Sequence, residues 1–285
     1  MNLRKSCLPA GWYPQNPGEI NRFLAEFSAD ATPDADKKAA RYLRVARSVI
    51  APHAGWYYSG KIAARAAASL ERNCETLVVI GGHLPAGYPP LFAMEDAVST
   101  PLGVIPIDSE LRSILHKETG GKEDRYQDNT VEVLLPMARY FFPDAMLLWI
   151  RLPADPGSYE AGKTIAAAAH SLGRSIAVLA STDLTHYGSN YGFTPKGTGY
   201  EALRWMREVN DRNFIKAVES GDPADVLARA ENDHSSCSAG AVLGAMGFAS
   251  AMNAGPACLL EYGTSADAAG GVPDSFVGYA GMGFI

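Results

Sequence analysis

Only four cysteines occur in 285 residues, at Cys7, Cys74, Cys237 and Cys258. None stands in a C-x-x-C pair, which excludes a dense disulfide framework and a structural zinc knuckle. Also missing is any run of about 20 uncharged apolar residues, the length a membrane-spanning helix requires. The opening MNLRKSCLPAGWYP has basic residues but lacks the apolar segment of a secretory leader. A cytoplasmic chain without a membrane partner is therefore the expectation. Positive charge is scarce as well: 25 Lys and Arg against 31 Asp and Glu give a formal net charge of -6. With no basic field to hold a phosphate backbone, nucleic acid is not expected as a partner, and a small-molecule or peptide ligand is. No repeat, low-complexity tract or long charged linker interrupts the chain.

What is present is alternation. Runs rich in β-branched residues, RVARSVIA, TLVVIGG, AMLLWIRL and SIAVLAST, alternate with Ala-rich periodic stretches such as GKIAARAAASLER and GSYEAGKTIAAAAHSLGR. Continuous apolar strands followed by helices imply an α/β fold with a buried sheet. PLFAMED, GVIPI, ACLLEYG and SFVGYAGMGFI are further strand candidates, and the short spacing around 91–107 predicts an antiparallel portion. Helices are expected at 109–119, 131–142, 200–220 and, as a buried element, about 235–252. GSNYGFTPKGTG, at 188–199, is the longest loop-like stretch and a fair lid or substrate wall.

Three strand candidates end in groups that titrate or bind metals: His53 in APHAG, His83 in GGH, and Asp183 with His186 in STDLTHYG. Ligands of open α/β sheets sit beyond the strands' carboxyl ends, so these segments are expected to share one rim. Cys237, near a predicted helix start where the macrodipole favours thiolate, can reach the same rim. Three readings of it stay open: a nucleophile served by His186 and Asp183, a metal ligand, or a small buried residue. Two spare strand-end histidines suit the metal reading better. Asp183 and His186 are the candidates for acid/base work, with Asp183 fixing the His186 tautomer or capping the following turn. His116 and His170 are expected to be solvated, and His234 either orients Cys237 or merely precedes its helix. Trp12, Tyr13, Trp56, Tyr57, Tyr58, Tyr187 and Tyr191 are candidates to line a pocket.

The ordered set AGWYP, APHAGWYYSG, GGH, STPLG, NTVEVLLP, STDLTHYG and SSCSAG resembles the Memo family, which includes the B component of AmmeMemoRadiSam systems. The similarity runs from Ala10 to the closing VGYAGMGF. It implies a single domain over 1–285 with a central mixed, mostly parallel sheet flanked by helices, similar to class III extradiol ring-cleavage dioxygenases. It implies a metal held by His53, His83 and Cys237, with Asp183 and His186 beside it. Fe(II) is the implied metal, zinc or copper also suiting a thiolate-containing set. An oxidoreductase follows from the resemblance, or else a non-catalytic partner of a radical SAM system; a metal-free cysteine hydrolase is a third reading. Where family members often carry Glu-His-Ser and Cys-Gly, this chain has Asp128-Asn129-Thr130 and Cys237-Ser238.

Overall fold

A computed structural model describes residues 1–29 and 46–285. Arg44 and Val45, the start of the strand expected in RVARSVIA, lie outside the described residues. In chain order the elements are β1 (Leu3–Arg4), α1 (Pro17–Ala29), β2 (Ser48–Ala51), α2 (Trp56–Ala68), β3 (Thr76–Leu84), β4 (Leu91–Phe92), β5 (Ala97–Thr100) and β6 (Gly103–Pro106). Then follow α3 (Ser109–Glu118), β7 (Lys122–Glu123), α4 (Asn129–Glu132), α5 (Leu135–Phe141), β8 (Met146–Pro153), α6 (Gly157–Ser171), β9 (Ile176–Ser181) and β10 (His186–Gly188). The chain ends with α7 (Tyr200–Trp205), α8 (Asp211–Ser220), α9 (Pro223–Asn232), α10 (Ala239–Ala251), β11 (Ala257–Thr264) and β12 (Ser275–Phe284).

The main sheet has the order β10-β12-β2-β9-β3-β8-β4-β7, with β11 also on β12. Its centre, β2-β9-β3-β8, is parallel, whereas β12 and β4 join antiparallel. The α/β expectation is met, and the mostly parallel sheet is parallel chiefly in its middle. Strands buried on both faces need apolar residues at every position, which explains why β3 reads LVVI. Val78 and Ile80 face a layer that includes Ile165, Val242 and Phe248. Leu77 and Val79 face the opposite layer, with Ala63, Ala67 and Phe141. A small sheet, β1-β5-β6, carries the antiparallel pair expected near 91–107; PLFAMED itself contributes only Leu91 and Phe92 as strand.

Three expected helices differ in detail. The 131–142 helix is split into α4 and α5 because Pro136 lacks an N–H and its ring crowds the carbonyl four residues back. The 200–220 helix carries a π turn over Met206–Asn210 between α7 and α8. The 235–252 helix begins only at Ala239, since the preceding residues bond elsewhere: Ser236 Oγ to Thr182 Oγ1 at 2.8 Å and Cys237 N to Asp183 O at 3.2 Å. Among the described residues two helices escaped the periodicity, α1 and α9, although both announce themselves by a side-chain cap followed by proline. Asn16 Oδ1 accepts from Gly18 N at 2.7 Å, and Asp222 Oδ1 accepts from Ala224 N at 2.9 Å. Among the described residues no helix is long and apolar enough to cross a membrane.

Helices α6 and α10 pack nearly backbone to backbone. A Cβ at Gly247 would overlap the Tyr159 carbonyl, and one at Gly162 would overlap that of Gly244. Gly247→Ala is therefore expected to cost about 1–3 kcal/mol, as overpacking does, read as a lower midpoint in urea unfolding. An unchanged midpoint would contradict the close approach.

Candidate metal centre

The parallel strands of the centre end on one rim, and β2, β9 and β3 each deliver a group to it. His53 follows β2 by two residues and is 1% exposed; Asp183 follows β9 by two residues and is 4% exposed. His83 lies inside β3 where its pairing with β8 becomes irregular, at φ 57, a left-handed conformation uncommon outside glycine. Cys237 stands two residues before α10. Gly81 and Gly82 are needed for this convergence: a Cβ on Gly81 would overlap Thr130 Oγ1, and one on Gly82 would overlap the Ser238 side chain. The GG of GGH thus admits both the Thr130 segment and the cysteine loop.

Cys237 Sγ lies 3.2 Å from His53 Nε2, and the His53 and His83 rings meet edge to face at 4.9 Å. One donor atom from each of His53, His83 and Cys237 lies within 4.8 Å of the other two. Hydrogen bonds settle which nitrogens are available. Ser181 Oγ donates its single proton to the Thr130 carbonyl, so toward His53 Nδ1, 2.9 Å away, it can only accept. His53 therefore carries a proton on Nδ1 and turns Nε2 toward the sulfur. Asp128 Oδ2 accepts from His83 Nδ1 at 3.0 Å, which likewise reserves His83 Nε2. Two imidazoles oriented through Nδ1 and a thiolate form the donor set expected of a His-His-Cys metal site.

The electrostatics agree. Burial pushes the Cys237 thiol up, but the charge and hydrogen bond of His53, joined by His83, overcome it and leave the thiol at about 6. Burial works against charge on His83, yet its bonds to Asp128 and Cys237 raise it to about 10. Asp128, in spite of burial, is held down at about 2 by His83, Thr130 and Arg151. The rim thus favours a thiolate beside an imidazolium, and a cation bound there would take the proton's place.

Asp183 accepts the His53 backbone N–H on Oδ1 at 2.8 Å, and its Oδ2 is 3.9 Å from His53 Nε2. Burial pushes this carboxyl above its ordinary value against the pull of His186. His186 Nδ1 donates to the Leu184 carbonyl at 3.1 Å, and Tyr191 meets its ring edge to face at 4.9 Å. The Leu184 carbonyl, rather than Asp183, thus fixes the His186 tautomer and leaves Nε2 as the proton acceptor. The imidazole beside the sulfur is His53, so the Cys237–His186 pair of the hydrolase reading is not what the fold assembles.

A cavity of about 770 Å³ opens over these groups, with Trp12, Tyr57, Tyr58, Asn129, Tyr191 and Tyr279 in its wall. Tyr191 and Asn190 come from the 188–199 loop, which supplies a wall as its composition suggested. Tyr13, Trp56 and Tyr187 are core residues instead, Trp56 donating to the Val133 carbonyl and Tyr187 stacking on Phe276. His234 is exposed, packs on Phe193 and takes no part. His170 is exposed, and His116 is half-buried against Phe92.

The family profile described as Memo-like protein matches residues 4–283. The chain belongs to the Memo family. A MEMO1 family protein of Pyrococcus abyssi is 32% identical over 98% of both chains. One from Pyrococcus horikoshii is 30% identical, with 98% of this chain and 99% of the relative covered. Another from Methanothermobacter thermautotrophicus is 28% identical over the same shares.

Within this Memo-family chain, reading the sequence for strand ends missed the residues behind the donors: Ser181, Asp128, Thr130 and Arg151. Arg151, 3% exposed, reaches Asp128 Oδ2 at 3.2 Å and donates from Nε to the Gly82 carbonyl at 2.9 Å. Its placement in an otherwise apolar strand, LLWIRLP, was the available signal, because a buried charge needs a partner. The thiol values give a pH test. In metal-free protein the Cys237 thiolate fraction rises with pH through about 6, so its alkylation by iodoacetamide should accelerate over that range and level off by neutrality. Cys7 and Cys74, pushed up to about 11 mainly by burial, should stay unmodified there. Site-resolved mass spectrometry reads both; a Cys237 midpoint near 9 would contradict the assigned electrostatics.

Proposed function

We propose that this Memo-family protein is a metal-dependent oxidoreductase, its metal held by His53 Nε2, His83 Nε2 and the Cys237 thiolate. The observation that supports it is the convergence of two imidazoles oriented through Nδ1 with the Cys237 sulfur, both imidazoles lining an open cavity. Fe(II) is the proposed metal, with zinc and copper as sulfur-tolerant alternatives; when bound, it supplies Lewis acidity and redox chemistry at positions the protein leaves open.

The chain's own residues do the rest. Ser181 and Asp128 hold the two imidazoles at fixed orientation. His186, with its proton parked on Nδ1, offers Nε2 as a base for a substrate hydroxyl or amine in the cavity. Asp183 stays close to His53 and His186, its carboxyl raised above its ordinary value by burial.

A second reading, a ligand-binding partner protein of a radical SAM system, draws on a different observation. Tyr57, Tyr58 and Tyr191 remain 72%, 51% and 47% exposed around the mouth, as aromatic residues awaiting a ligand do. Metal analysis of anaerobically purified protein separates the two. The oxidoreductase reading expects about one iron per wild-type chain and loss of most of it in Cys237→Ala. Equal, negligible metal in both proteins would overturn it and favour the binding reading.

A further inference from the structure

The buried polar residues least explained by the metal site lie behind it, where the expected 200–220 helix loosens into the π turn Met206–Asn210. We propose that Asn210 and Asp211 are positioning residues that lock the Asp183–His186 turn to the loop bearing Cys237. Both are buried, at 4% and 0% exposure. Asn210 Nδ2 donates one proton to Thr185 Oγ1 at 2.8 Å and the other to the Asp233 carbonyl, also at 2.8 Å. Thr185 adjoins His186, and Asp233 opens the loop that leads to Cys237. One amide therefore spans the two segments.

Asp211 completes the hold. Its Oδ1 accepts the Thr185 backbone N–H at 3.1 Å and the Thr185 hydroxyl, while Oδ2 accepts from Tyr262 at 2.7 Å. The directions leave no alternative arrangement. The Thr185 hydroxyl proton goes to Asp211, so its lone pair receives Asn210, whose second proton goes to Asp233. On the other side of the same turn, Leu184 N and Thr185 O pair with Gly278 O and N at 2.8 and 3.0 Å. Gly278 must be glycine, because a Cβ there would overlap the Asp211 carboxylate.

The π turn acquires a reason from this. One extra residue in a helical turn rotates everything after it by roughly 100°, the angle per residue of a 3.6-fold helix. Without that residue Asn210 and Asp211 could not both face the Thr185 turn while α8 keeps its packing. Leu184, whose carbonyl fixes the His186 tautomer, precedes Thr185 directly, so the orientation of the imidazole follows the clamp.

The inference rests on the proposed metal reading for one of its two measurements and not for the other. Asn210→Leu and Thr185→Val each keep close to the original volume and remove the bridge. Zinc affinity by chelator competition should fall by about tenfold or more, as loss of support behind a ligand does. The imidazole nitrogen resonances of His186, followed by NMR in histidine-labelled metal-free protein, should shift in both variants. Folded variants with zinc affinity within about twofold of wild type and unchanged His186 resonances would overturn the clamp. Absence of zinc binding by wild type would instead defeat the metal reading, leaving the resonances to decide the clamp. If the variants do not fold, Tyr262→Phe removes one bond to Asp211 and should still move the His186 signals; unmoved signals would overturn the proposal.

Discussion

Both imidazoles of the site hang on Thr130. Its carbonyl takes the Ser181 proton and so compels Ser181 to accept from His53, while its hydroxyl donates to Asp128, which accepts from His83. A third bond, from Gly82 N to Thr130 Oγ1 at 3.1 Å, ties the same residue to the strand that carries His83. One threonine thus braces both imidazoles, and their Nε2 atoms face the cysteine sulfur as a consequence. Everything else in the fold brings this residue within range: the parallel centre ends its strands together, and two adjacent glycines let the α4 segment and the cysteine loop approach.

Burial gives these bonds their force. In a low-dielectric rim, an unsatisfied imidazole or carboxylate would cost far more than at the surface. The network answers by pairing every charge. Arg151 balances Asp124 and Asp128, and His83 faces both Asp128 and the thiolate. The thiol falls to about 6 even though burial alone would raise it. In contrast to Cys7 and Cys74, both pushed up to about 11 mainly by burial, Cys237 is brought down by its imidazole neighbours.

Much of this was legible in the sequence because it depended on local pattern. Apolar runs ending in His or Asp marked β2, β3 and β9 and their rim, and the Memo motifs joined Cys237 to them. What remained illegible depended on contacts far apart in the chain. Nothing near Ser181 announces that its proton is spent on Thr130, 51 positions away. The role expected of Asp183 at His186 went to the Leu184 carbonyl, since backbone acceptors leave no trace in a side-chain pattern. Likewise the π turn is invisible to a 3.6-residue period and becomes intelligible only when Thr185 and Asp233 are seen on either side of Asn210.

The ligand set proposed for a metal at this site is two imidazole nitrogens and one sulfur. X-ray absorption of zinc-loaded protein tests it directly. The account predicts one sulfur neighbour at about 2.3 Å together with nitrogen or oxygen neighbours at about 2.0–2.1 Å. A spectrum with light-atom neighbours alone, and no sulfur, would contradict it.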